Sequence, residues 1–136
     1  MKTKYVTSIA AVVVILASMW AGVAQAGTVL PSLHVGSILQ RYLHYPDGSH
    51  NVITVISIHD LEHFGVPKAK VSILWKLPGG DRVAQQADTD EHGLARFRLR
   101  SAEHGTYQLS VTGVYKSGWV YDPKQNHVTY ASSIVR

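Results

Sequence analysis

The chain contains no cysteine, and that absence removes several classes of function at once. No disulfide staples the fold, no thiolate serves as a nucleophile or a zinc ligand, and no lipidated cysteine holds the chain to a membrane. Charge is also sparse: Asp, Glu, Lys and Arg together make up 16% of the residues, and only nine are acidic. The carboxylates are scattered over turn-like stretches with no pair placed for acid–base work. A Gly-x-Ser-x-Gly nucleophile elbow is missing as well. No enzyme and no cofactor are therefore expected. The formal charge of +4 includes Lys2 and Lys4, and what remains after them is too mild an excess to argue for nucleic acid.

Hydrophobic residues are concentrated at the start. Lys2 and Lys4 precede a stretch from Ser8 to Ala24 built almost wholly of Ala, Val, Ile, Leu and Met, closing on Ala24-Gln25-Ala26. A short basic region, an apolar run and small residues at the two recognition positions describe a secretory signal peptide over residues 1–26. An uncleaved anchor helix is the competing reading, since about 17 apolar residues lie at the lower edge of spanning length. The expectation is a secreted or periplasmic domain over residues 27–136 with no membrane span after cleavage. A domain of this size buries roughly two-thirds of its unfolded surface, enough for one core without staples.

From Gly27 onward no helical period is sustained, whereas alternation of period two recurs between turn residues. Strands are expected at Leu33–Ile38, Val52–His59, Ala69–Lys76, Arg82–Ala87, Ala95–Arg100, Gly105–Gly113 and Val128–Ile134. Trp119 to Pro123 reads as part of a loop. In the third strand Val71, Ile73 and Trp75 share a face, which makes Trp75 a core residue. In the fifth, Ala95, Phe97 and Leu99 alternate with Arg96, Arg98 and Arg100. About seven short strands in one domain predict an all-β, two-sheet sandwich of the immunoglobulin type.

Four segments in order carry a resemblance. Leu33-His34-Val35-Gly36-Ser37-Ile38 resembles an "MHVGDL" opening, and His59-Asp60 through Val66, Ala69, Val71 and Trp75 resembles an "HDxxGxPVxxAxVxxxW" segment. Thr89-Asp90-Glu91-His92-Gly93 matches "TDxxG", and Tyr121-Asp122-Pro123 with Asn126-His127 matches "YDPxxNH". Together they resemble an Ig-like, or transthyretin-like, accessory module of secreted bacterial proteins. The resemblance implies a β-sandwich without assigned chemistry, usually joined to a larger enzyme or adhesin. Gly65 and Lys68 stand where that family prefers Pro and Gly, and Ala87 and Ala95 stand where many members carry a cysteine pair.

Each candidate site has a simpler competing role. His59 and His63 are four apart, but they lie on a strand end and a turn, where that spacing does not bring two imidazoles together, and no third ligand has recognisable spacing. No metal is expected there. Asp88, Asp90 and Gly93 lack the oxygen ligands of a calcium loop and predict a tight turn, with Gly93 at positive φ. Arg96, Arg98 and Arg100 form a row able to meet sulfate, phosphate or carboxylate, or simply a solvated outer face. Trp119 offers a platform for a sugar or protein. Trp75, Asp90, Gly93, Tyr121, Asp122 and Asn126 are assigned structural roles. The leading expectation is a non-catalytic binding or adhesion module for a protein or an anionic surface polysaccharide. The alternatives are a metal or small-ligand carrier using the histidines, or a structural component of an envelope assembly.

Overall fold

The computed structural model describes residues 27–100 and 102–136, so the expected leader lies outside the described residues. Eight strands follow in order: β1 Ser32–His44, β2 His50–His59, β3 Lys70–Lys76, β4 Arg82–Asp88, β5 Leu94–Leu99, β6 Gly105–Tyr115, β7 Val120–Tyr121 and β8 Tyr130–Val135. A turn of 3-10 helix, Pro123–Gln125, separates the last two. The strands form two four-stranded sheets, ordered β5-β2-β1-β7 and β4-β3-β6-β8. The domain is thus an all-β, two-sheet sandwich.

Alternation decides which residues fill the space between the sheets. One sheet contributes Leu33, Val35, Val52, Ile56, Ile58, Ala95 and Phe97, and the other Val71, Ile73, Trp75, Tyr107, Leu109 and Val135, all buried. Trp75 is fully enclosed, and its indole N–H donates to Gln85 Oε1 at 3.0 Å. That bond satisfies the one polar atom of the buried ring.

Two expectations needed correction. The first strand does not stop at Ile38 but runs to His44, and every residue of the extension is paired with β2. Beyond a bulge between Val35 and Ser37, the polar Gln40 lies toward the second sheet while Leu39 is exposed, which reverses the pattern that marks a strand. Gln40 belongs there because its amide N–H groups reach Tyr107 O at 3.1 Å and Ser133 Oγ at 2.7 Å, tying β1 to the opposite sheet. The second correction is β7: Val120 and Tyr121, expected in a loop, pair in parallel with Ser32 and Leu33.

Turn chemistry follows the side chains foreseen for it. Asp90 Oδ1 accepts N–H groups from His92 at 2.9 Å and Leu94 at 3.0 Å, and Gly93 sits at φ 77°. A side chain at Gly93 would also meet the Val66 nitrogen at 2.6 Å. Beside this turn the buried Thr89 hydroxyl donates to Val66 O and accepts from Ala69 N–H.

Trp75→Ala should destabilise the domain by about 3–5 kcal/mol, as large-to-small core substitutions do. Equilibrium denaturant unfolding measures this, and a loss below about 1 kcal/mol would contradict the packing described.

Candidate functional site

The outer face of the β5-β2-β1-β7 sheet gathers most of the chain's unusual side chains. Because Leu33 and Val35 face the core, His34 between them faces outward. His59 is its Cα partner on β2. The bulge at Gly36 gives the His59 ring room, since a side chain at position 36 would collide with that ring. Two other segments bring further histidines. His63 sits at φ 67° in a turn held by Asp60, whose Oδ1 accepts N–H groups from Glu62 at 3.0 Å and Phe64 at 2.9 Å.

His127 arrives from the far end of the chain. Val35 N–H donates to Asn126 Oδ1 at 2.7 Å, and His127 N–H donates to Val35 O at 3.0 Å. Asn126 in turn donates from Nδ2 to Tyr121 Oη at 2.7 Å. The His34 ring then lies 5.3 Å from His127, 6.3 Å from His63 and 6.3 Å from His59, centroid to centroid. One ligand nitrogen from each of His34, His63 and His127 falls within 4.8 Å of the other two. His34 is 3% exposed, and neither of its ring nitrogens has a hydrogen-bond partner.

Burial pushes His34 below the usual imidazole range, helped by the rings of His127, His59 and His63 and opposed by Asp60. His59 is lowered by burial, then by His63 and His127, again against Asp60. At the other end of β1 a second group forms. His44 Nδ1 and His50 Nε2 are 2.8 Å apart, and the His104 ring stands 5.4 Å from that of His50. Burial, then His44 and His104, lower His50 too.

The arginines occupy the same outer face. Arg96 and Arg98 project from β5 opposite Val55 and Ile53, whereas Arg100 lies past the strand end beside Leu77, Pro78 and Tyr107. The expected row of three is therefore two. A third guanidinium comes from Arg41, which pairs with Ile53 from the other side. Arg96 donates to Asp90 Oδ2 at 2.6 Å, and this bond, with the turn N–H groups, draws the Asp90 carboxyl down to about 2.

Trp119 is half-buried against the core, with Lys116 Nζ 5.1 Å from its ring centre, and borders a small cleft with Pro31, Asp60 and Leu61. Asp122 caps the 3-10 turn by accepting from Lys124 N–H at 3.1 Å. Asn126 bonds both locally, through Nδ2 to Tyr121 Oη, and across to β1, through Oδ1. Sequence reasoning missed His34, His127 and Arg41. The signal for the first two was that all four resembling segments carry a histidine, and three of those segments converge here.

Asn126→Ala leaves the Val35 N–H without its acceptor and should cost about 1–3 kcal/mol by denaturant unfolding. An unchanged midpoint would show that the clamp contributes nothing. The histidine shifts give a second expectation. With folded values below the unfolded value of about 6.5, the unfolded chain binds more protons, so stability present above that value is lost as pH falls through the folded values. Chelator-treated protein should melt at a lower temperature at about pH 5.5 than at about pH 7.5. Equal melting temperatures would contradict it. Comparison with protein-family models, with curated proteins and with solved structures finds no match to this chain.

Proposed function

We propose that this protein is an exported, non-catalytic binding module of Ig-like type that engages an anionic surface polymer through the outer face of its β5-β2-β1 sheet. The observation that carries this reading is the setting of Arg41, Arg96 and Arg98. They flank Ile53 and Val55 in two adjacent rows, Arg41–Ile53–Arg98 and Leu39–Val55–Arg96. Rows on one face of a strand are roughly 6.5–7 Å apart, a spacing suited to successive sulfate, phosphate or carboxylate groups. Among the described residues the one ion pair is Arg96 with Asp90, which leaves Arg41 and Arg98 unneutralised. The half-buried Ile53 and Val55 give the face an apolar floor on which a polymer backbone can rest. The four segments resembling secreted accessory modules, the leader-like N-terminus and the lack of a nucleophile pattern support export and the absence of catalysis.

Retention on a heparin column tests the reading. The protein should bind weakly and elute at modest salt, because attraction between exposed charges is screened within about 10 Å at 0.1 M. The triple variant Arg41→Gln, Arg96→Gln, Arg98→Gln should lose retention while remaining folded, and Arg100→Gln should retain it. A folded triple variant eluting with the parent protein removes the face from consideration.

A further inference from the structure

We propose that His34, His63 and His127 form a binding site for a divalent transition-metal ion of the zinc, copper or nickel class, held by three imidazoles with its outward coordination position open. The site goes beyond the anionic-polymer reading and stands independently of it, because no arginine is among its ligands and its row lies at the other end of the sheet face from Arg41 and Arg98.

Geometry comes first. Each histidine offers a nitrogen within 4.8 Å of the other two. Tetrahedral zinc with bonds of 2.0–2.1 Å holds its ligand nitrogens roughly 3.3 Å apart and its ring centres roughly 5 Å apart. The ring centres here are separated by 5.3, 6.3 and 6.0 Å. Closing the remaining gap takes a movement of about 1 Å shared among three rings. His63 and His127 are both exposed side chains, so they can make it, whereas His34 is locked in the sheet.

The second observation is independent of spacing. Both nitrogens of His34 are buried with no hydrogen-bond partner, an arrangement that native proteins seldom leave uncompensated. An ion among the three rings would engage one of those nitrogens. A purely structural histidine at this strand position would instead be expected to donate to a carbonyl or a carboxylate. The nearby Asp60 is not free to do so with its Oδ1, which accepts two N–H groups of its own turn.

Ligand chemistry narrows the ion. A set of neutral imidazoles without thiolate, thioether or bidentate carboxylate suits zinc, copper(II) and nickel, not magnesium or calcium, which require oxygen. His59 stands edge-on beside His34, with its ring against the Gly36 bulge.

The test is calorimetric titration of zinc into purified, chelator-stripped protein at neutral pH, with cobalt(II) absorption as a report on geometry. One ion per chain should bind with a micromolar or lower dissociation constant, and cobalt should give the intense visible bands of a tetrahedral site. His63→Asn keeps a residue tolerant of left-handed φ at an exposed turn, and His127→Ala changes an exposed side chain, so both variants should fold. Each should weaken zinc binding by more than the roughly tenfold that loss of an outer hydrogen bond costs a metal site. A His44→Ala, His104→Ala double variant and His92→Ala should bind as the parent does, and calcium should not compete. The proposal is overturned if zinc gives no heat and cobalt no bands, if both ligand variants bind like the parent, or if the loss follows the His44/His104 pair instead.

Discussion

The free edge of β1 depends on two hydrogen bonds to one residue. Val35 gives its N–H to the Asn126 side chain and its carbonyl to the His127 backbone, while Leu33 O accepts from Asp122 N–H. Strand β7 is only two residues long, so ladder pairing alone could not hold this edge. The clamp continues the edge in place of a longer strand. It keeps the core residues Leu33 and Val35 in register and satisfies backbone groups that would otherwise be buried without partners. It also delivers His127 to His34, from the last ten residues of the chain to its first half.

The bulge between Val35 and Ser37 shapes the same region from within β1. An extra residue in one strand lets both faces change occupant, so that His34 faces out before it and Ser37 after it. Glycine at position 36 is what allows the His59 ring to lie there. The Ser37 and Ser57 hydroxyls, 2.7 Å apart, follow in the next row, and then come the two rows with arginines. Histidines, serines and guanidiniums thus succeed one another along a single sheet face, with each row set by the pairing of β1 and β2. An ion at the histidine end would add positive charge to a face that is already cationic, without sharing a ligand with it.

The turns at Asp60 and Asp90 work by a different device. Asp60 and Asp90 each accept two backbone N–H groups through one oxygen, so each carboxylate replaces a stretch of backbone pairing. Asp90 uses its other oxygen for Arg96, which joins a turn to the arginine face. Asp60 uses its turn to present His63. Residues that look like ordinary turn formers in the sequence therefore fix the orientation of the side chains proposed to bind ligands.

By itself the sequence determined the fold class and most of the core. Period-two alternation sorted Trp75, Phe97 and Leu109 inward and Arg96 and Arg98 outward, because side chains of a strand alternate whatever it packs against. It also located the Asp90–Gly93 turn, whose chemistry is local. It did not reveal the second half of β1, where Gln40 faces inward only because Tyr107 and Ser133 on the other sheet receive its amide. Nor did it place Arg41 in one row with Arg98 across Ile53, which requires the register of two strand pairs. The histidine group was the least legible. His59 and His63 were visible as neighbours in sequence, but His34 and His127 join them through a bulge and a long-range clamp. Spacing along a chain says which groups share a strand face, whereas convergence of groups far apart in sequence is decided only when sheets close.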